Sequence, residues 1–167
     1  MTSFKLSLIA LAALGLAACS DNSSFDNAGA GGANGGFASG SASDPTSVAY
    51  FQQTVGDRVF FAVDQSTLSA QATSVLDQQA TWLMTNAAYT VVIEGHADEQ
   101  GTREYNLALG ARRANSVQEY LVSRGVSPAR VRTVSYGKER PLALCSAESC
   151  YAENRRAVTV VTAGGNS

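Results

Sequence analysis

The stretch Gly95-His96-Ala97-Asp98-Glu99-Gln100-Gly101 separates a run of β-branched residues from a helical pattern. Residues 89–93 predict a strand that ends in this acidic, glycine-bracketed loop. The sequence Glu-Tyr-Asn-Leu-Ala-Leu-Gly-Ala-Arg-Arg-Ala at 104–114 then predicts a helix, with Asn106 and Arg113 on one face about two turns apart. A loop carboxylate and a helix guanidinium can hold the two ends of one zwitterion. The pattern therefore favours a binding site.

Alternating helix and strand patterns extend on both sides of this loop. A short helical lead-in is predicted at 48–55, strands at 58–63, 90–94, 131–136 and 156–161, and helices at 69–86 and 104–124. Gly125 supplies a stop for the second long helix, and Leu107 is expected on its inward face together with Ala111 and Ala114. The order β-α-β-α-β-β predicts an α/β fold, a two-layer sandwich with helices over a mixed sheet.

The N-terminus has the pattern of an export signal. Lys5 precedes an apolar run at 6–18, which is too short to span a bilayer and predicts a signal peptide over residues 1–18. The run ends in Leu16-Ala17-Ala18-Cys19, which resembles the bacterial lipobox, where the cysteine thiol accepts diacylglycerol. The alternative is an ordinary signal peptide cleaved at an Ala-x-Ala-like site.

Composition divides the remaining chain into a tether and a domain. Residues 19–46 are rich in Gly, Ala, Ser, Asn and Asp and predict a flexible linker after the lipidated cysteine. The folded domain is predicted at 47–163, followed by a frayed tail at 164–167. The net charge of −2 gives no electrostatic footprint for nucleic acid or an anionic membrane surface.

Three cysteines are an odd number for an exported chain. If Cys19 carries lipid, Cys145 and Cys150 remain as a pair that an oxidising periplasm is expected to join. So short a ring contributes only about 2 kcal/mol to stability on the chain-entropy model, and its expected role is to shape the loop after Pro141. The alternative, a Cys-x4-Cys metal site, needs two further ligands, and none lies nearby in the sequence.

Five ordered blocks carry a family resemblance. They are Val-Phe-Phe-Ala-Val-Asp at 59–64, the acidic loop, Arg-Arg-Ala-Asn at 112–115, Val-Ser-Tyr-Gly-Lys-Glu-Arg-Pro at 134–141 and Asn-Arg-Arg-Ala-Val at 154–158. Together they resemble the OmpA-like peptidoglycan-binding domain over about residues 59–161, and most closely the peptidoglycan-associated lipoproteins of the Tol-Pal system.

The resemblance implies a ligand and a set of site residues. The family's ligand is the peptide stem of peptidoglycan, particularly diaminopimelate, whose distal carbon carries an ammonium and a carboxylate. Asp98 matches the family's acidic residue that meets the ammonium, and Arg113 matches the arginine that meets the carboxylate. Asn106 occupies the asparagine position between them. Asp64 matches a second acidic residue that lines the site.

The motif near the last strand and two departures complete this prediction. Asn154 and Arg155 match residues that help to shape the family's site, although an exposed basic turn is the alternative. Gln100 stands where close relatives often have an arginine, and Arg103 is a nearby candidate to compensate. Ala62 stands where some relatives have another aspartate, so an acidic pair on the first strand is missing.

The resemblance also implies a cellular role. It predicts an outer-membrane lipoprotein whose domain faces the periplasm, binds peptidoglycan without a cofactor and exchanges with the periplasmic protein TolB during division. Aspartate directly after the lipidated cysteine favours inner-membrane retention, and Ser20 stands there instead. The first alternative is an OmpA-like anchor that serves another envelope machine.

The second alternative is a metal-dependent peptidoglycan hydrolase. Glu94, His96 and Asp98 alternate and would share a face if all three were strand residues. Because Asp98 is expected beyond the strand end, we interpret His96 as a packed or hydrogen-bonded histidine and predict neither a metal site nor an enzyme. Arg112 is about 100° around the helix from Arg113 and is interpreted as a surface residue.

Overall fold

The computed structural model describes residues 40–163. The predicted signal peptide, the lipidation site Cys19, most of the linker and the tail at 164–167 lie outside the described residues. Within residues 40–163, no helix combines the length and the apolar character that crossing a membrane requires.

The elements follow the predicted order, with one short helix added before the last strand. They are α1 (Val48–Tyr50), which continues as a π-helical turn (Phe51–Gly56), β1 (Arg58–Phe60), α2 (Ala70–Thr85), β2 (Tyr89–His96), α3 (Arg103–Ser123), a 3-10 turn (Pro128–Arg130), β3 (Val131–Gly137), α4 (Glu148–Asn154) and β4 (Arg156–Ala163). Sequence patterns do not predict α4, which spans only seven residues and has no side-chain cap at its first turn.

Hydroxyl side chains set the starts of the longer helices. The Ser69 hydroxyl accepts a hydrogen bond from the Ala72 amide at the start of α2, and Thr102 accepts one from Tyr105 at the start of α3. Gly125, with φ of +102°, then reverses the chain after α3 as predicted.

The four strands form one mixed sheet in the order β1-β4-β2-β3. β2 runs parallel to β3 and antiparallel to β4, which is antiparallel to β1. α2 and α3 pack on this sheet around a core that includes Leu76, Leu83, Ile93, Val117 and Leu121. The predicted two-layer α/β sandwich with a mixed sheet is confirmed.

The first strand ends earlier than predicted. β1 stops at Phe60 instead of continuing to Val63. The Phe61 amide still donates to the Arg155 carbonyl oxygen at 2.8 Å, but the chain then turns. Asp64 has φ of +57°, which lies outside the range of a β-strand. The turn removes Asp64 from the sheet and makes it a loop residue.

A close backbone contact sets the rotation of α3 over the sheet. A Cβ atom on Gly95 would overlap the carbonyl oxygen of Gly110, so only glycine at position 95 allows this approach. In this orientation Asn106 and Arg113 are buried. Leu107 is 48% exposed, so its predicted inward position is wrong. Its side chain lies in a surface depression beside Tyr136.

Candidate functional site

A cleft of about 250 Å³ lies where the turn after β1, the acidic loop at 97–101 and the start of α3 meet. Three of the predicted site residues, Asp64, Asp98 and Asn106, line it. The other lining residues are Val63, Gln100, Gly101, Tyr105 and Leu109. The fold therefore brings together two carboxylates that are 34 residues apart in the sequence.

Hydrogen bonds within the acidic loop and from neighbouring residues hold its shape. The Gln100 amide donates to Asp98 Oδ1 at 3.2 Å, and Gly101 takes a φ of +89°. The side-chain amide of Asn106 donates to the Gln100 carbonyl oxygen at 2.7 Å. Lys138 Nζ, which sequence reasoning missed, donates to the Gly101 carbonyl oxygen at 2.6 Å. Asn106 is therefore a residue that shapes the loop from α3.

Arg155 lies against Asp98 at the base of the loop. Its Nη1 is 3.1 Å from Asp98 Oδ2, and its Nε donates to the Phe61 carbonyl oxygen at 3.2 Å. Its Nη2 donates to Glu148 Oε1 on α4 at 2.5 Å. Since Arg155 is only 4% exposed, it orients Asp98 from within the protein.

Arg113 is fully buried behind the cleft. Its guanidinium donates to the carbonyl oxygens of Gln65 at 2.8 Å, His96 at 2.8 Å and Ala62 at 3.2 Å. These carbonyls come from both sides of Asp64 and from the residue where β2 ends. Burial lowers the pKa of Arg113 to about 10, although the Asp98 charge opposes this shift, and the group stays protonated at neutral pH. Arg113 thus joins the two segments that carry the cleft's carboxylates.

Tyr105 is a cleft residue that the sequence analysis did not select. Its hydroxyl donates to Asp64 Oδ1 across the turn between β1 and α2. The contact links α3 to a residue in the left-handed backbone region, which a non-glycine residue adopts only when its surroundings support it. The one available signal was its position in the first turn of the predicted helix.

Two other predicted residues do not reach the cleft. Asn154 is buried, and its Oδ1 accepts hydrogen bonds from the amides of Leu142 and Ala143 at 2.7 and 3.0 Å. It shapes the loop after β3. Arg103 forms an exposed ion pair with Glu139 at 3.4 Å, so it does not replace the missing arginine at Gln100.

The structure joins Cys145 and Cys150 in a disulfide, with the two Cα atoms 5.7 Å apart. The bond links the loop after β3 to the first turn of α4. This pairing matches the one predicted from the sequence.

The side chain of His96 does not line the cleft and contacts other residues. It is buried, its Nε2 is 3.6 Å from Glu94 Oε2, and its ring lies 5.6 Å from the ring of Tyr136. Asp98 pairs instead with Arg155. Over residues 40–163, no group of three His, Cys, Asp or Glu side chains is arranged to hold a metal ion. The geometry gives no support to the alternative of a metal-dependent hydrolase.

The pH dependence of stability should reflect this buried histidine. Burial, with the charges of Arg156 and Arg140, lowers the pKa of His96 to about 4 from its ordinary 6.5. Because the unfolded chain then binds the proton more tightly, we expect His96 to reduce stability as pH falls from about 6.5 to 4, by up to about 1.4 kcal/mol per pH unit. Urea unfolding at several pH values in this range measures the free energy of unfolding of the wild type and of His96→Phe. This free energy should change less steeply with pH in the variant. Equal slopes would contradict the assignment.

The cleft combines two carboxylates with apolar walls from Val63, Leu109 and the Tyr105 ring. A group that fits these surroundings is an ammonium on a short alkyl chain, since the carboxylates attract the charge and the walls contact the methylene groups. The charges of Asp98 and Asp64 act on Arg113 and oppose the effect of burial on its pKa, so the site carries both signs of charge.

The chain is similar to proteins of one family. Residues 60–155 match the OmpA family. A peptidoglycan-associated lipoprotein of Rhizobium meliloti (strain 1021) is 55% identical over 125 residues, covering 75% of this chain and 71% of that protein. That of Agrobacterium fabrum is 48% identical over 153 residues, covering 92% and 85%. The crystal structure of the Burkholderia pseudomallei peptidoglycan-associated lipoprotein has 38% identity and a TM-score of 0.65, covering 72% of this chain and 98% of that one.

The match to the OmpA family at residues 60–155 includes the turn after β1, the acidic loop and α3, which line the cleft. The chain therefore belongs to the OmpA family and, within it, to the peptidoglycan-associated lipoproteins.

Proposed function

We propose that this protein is an outer-membrane lipoprotein, anchored through Cys19, whose periplasm-facing domain binds peptidoglycan noncovalently. The ligand is the diaminopimelate of the peptide stem. Binding ties the outer membrane to the cell wall as part of the Tol-Pal system in cell division and envelope integrity. The protein acts by binding and not by catalysis.

The observation that carries this proposal is the cleft that brings Asp64 and Asp98 together. The distal end of diaminopimelate carries an ammonium, which the two carboxylates attract, and a carboxylate on the same carbon. Arg113 supplies a buried positive charge behind the cleft. Because its guanidinium already binds three backbone carbonyls, we expect it to attract the ligand carboxylate from beneath the cleft as well as to organise the site.

The names of the relatives support the same function, since they are peptidoglycan-associated lipoproteins from several bacteria. The Tol-Pal role rests on the resemblance of the five sequence blocks. Co-purification of the full-length protein with TolB is expected. Its absence, with peptidoglycan binding intact, would favour an OmpA-like anchor of another envelope machine.

Selectivity between cell-wall types tests the proposed ligand. The protein should sediment with isolated diaminopimelate-type peptidoglycan and much less with lysine-type peptidoglycan, because lysine has the ammonium but lacks the second carboxylate. Equal sedimentation with both types would exclude recognition of diaminopimelate. Failure to sediment with either type would overturn peptidoglycan binding itself.

Lipidation is tested separately from binding. Mass spectrometry of the membrane fraction should show a mature chain that begins at an acylated Cys19. Cys19→Ser should leave the membrane fraction or accumulate as a precursor, because the thiol that accepts diacylglycerol is gone. An unmodified N-terminus at another residue would contradict the prediction and favour ordinary signal-peptide cleavage.

A further inference from the structure

Residues 145–155, here called the disulfide segment, contact the acidic loop at two places. The first contact is at Glu99, the neighbour of Asp98. Glu99 Oε1 accepts hydrogen bonds from the Ser146 hydroxyl at 2.7 Å and from the Tyr151 hydroxyl at 2.8 Å. Ser146 directly follows Cys145, and Tyr151 directly follows Cys150. The disulfide therefore holds the two donors beside each other.

The second contact reaches Asp98 through Arg155. This buried arginine donates from Nη1 to Asp98 and from Nη2 to Glu148. Glu148 lies inside the ring that the disulfide closes. Both Asp98 and its neighbour in the acidic loop are thus connected to residues whose positions depend on the disulfide.

The disulfide segment contains a helix that is too short to be stable by itself. α4 has seven residues, and its first turn has no side-chain cap. Helices of this length are not stable by themselves and depend on contacts with their surroundings. Asn154 fixes the segment at its C-terminal end, through the Leu142 and Ala143 amides. The N-terminal end, which carries Ser146 and Glu148, is tied by the disulfide.

The bond is also open to chemical reduction. Cys145 is exposed and Cys150 is half-buried, so the disulfide lies at the protein surface, where a small thiol reagent can approach it. Reduction by a dithiol transfers two electrons and two protons, breaks the S–S bond and leaves two protein thiols, while the dithiol becomes a disulfide.

We propose that the Cys145–Cys150 disulfide is a redox-sensitive brace on the acidic loop, with Glu99 as a positioning residue for Asp98. In the oxidised protein the disulfide segment holds Glu99 and Arg155, and these hold Asp98 in the cleft. Reduction releases the N-terminal end of the segment and lowers affinity for peptidoglycan. This inference rests on the proposed function of the cleft.

The test measures sedimentation of the full-length protein with diaminopimelate-type peptidoglycan, oxidised and after treatment with a dithiol. Reduction should weaken binding about three- to tenfold, which corresponds to one or two partly exposed hydrogen bonds. The double variant Cys145→Ser, Cys150→Ser should bind like the reduced protein and should not respond to the dithiol. Equal binding of the oxidised and reduced wild type would overturn the brace and leave peptidoglycan binding intact.

Variants of Glu99 keep the test decisive if reduction also destabilises the fold. In the oxidised protein, Glu99→Ala should weaken binding by the same factor at an unchanged melting temperature. Glu99→Gln should restore binding, because its amide oxygen still accepts from both hydroxyls. Loss of binding in Glu99→Gln equal to that in Glu99→Ala would overturn the positioning role.

Amide hydrogen exchange, measured without peptidoglycan, tests whether the disulfide holds the acidic loop. This test does not depend on the proposed function. Reduction should speed exchange at residues 97–101 while the core strands stay protected. If the oxidised protein fails to sediment, the proposed function is wrong. If exchange at 97–101 is the same in both redox states, the brace is wrong.

Discussion

Arg113→Ala is expected to lower the free energy of unfolding by about 3–5 kcal/mol, because three backbone carbonyls lose a buried charged donor and an unpaired buried acceptor costs about 1–3 kcal/mol. The guanidinium is fully buried and donates to three backbone carbonyls. An alanine leaves those carbonyls without their charged donor and leaves a cavity behind the cleft. Urea unfolding of the wild type and the variant measures the difference.

Two further substitutions, one at Arg112 and one at Arg113, distinguish the loss of the buried hydrogen bonds from a general loss of positive charge. Arg112→Ala removes the adjacent arginine, whose exposed guanidinium lies 5.9 Å from the centre of the Tyr105 ring, and should change stability by no more than about 0.5 kcal/mol. Arg113→Lys keeps the charge, but an ammonium cannot match the planar fork that reaches three carbonyls, so it should also be destabilised. A wild-type unfolding curve for Arg113→Ala would show that the buried network is not needed for stability.

Asp98→Ala is expected to weaken peptidoglycan binding by about 2–5 kcal/mol, or roughly 30- to several-thousand-fold. Removing Asp98 takes away one of the two cleft carboxylates and leaves the ligand ammonium with Asp64 alone. Arg155 would also lose one of its two carboxylate partners and keep Glu148 as the other. Binding isotherms with isolated diaminopimelate-type peptidoglycan measure the loss.

The matched control is Asp77→Ala. Asp77 lies on α2, pairs with Arg124 at 2.9 Å and accepts a hydrogen bond from Tyr120, so its removal also breaks an ion pair. It does not line the cleft, and its variant should bind peptidoglycan like the wild type. Asp98→Asn keeps the shape and the Oδ1 acceptor but loses the charge, and should bind nearly as poorly as Asp98→Ala. If both Asp98 variants bound peptidoglycan with wild-type affinity, Asp98 would not be part of the binding site.

Local sequence signals predicted most of the fold because they act over a few residues. Ser69 marks the start of α2, Gly125 marks the end of α3, and apolar periodicity identifies the long elements. α4 was missed because a short helix with no cap has no such signal. The early end of β1 was missed because Val63 suits a strand and only the turn at Asp64 shows that the strand has stopped.

The candidate site was predicted only in part, for a similar reason. The structure brings Asp98, Asp64 and Asn106, which the sequence analysis had selected, to the lining of one cleft. The pattern could not distinguish a side chain that faces the cleft from one that supports it. Arg113 and Asn154 bind backbone groups in the interior, and Tyr105 lines the cleft without belonging to a recognised motif.

By itself, the sequence determined the order of the long elements, the mixed α/β architecture and the family, since these follow from local periodicity, capping and ordered motifs. It also predicted the pairing of Cys145 with Cys150, because these two cysteines remain once Cys19 is assigned to lipid. Only the tertiary structure decided what each site residue contacts. The approach of Gly110 to Gly95 turns Arg113 inward to three carbonyls from segments far apart in the chain, and the sheet brings Arg155 to Asp98. Such contacts depend on the packing of distant elements, which local patterns do not record.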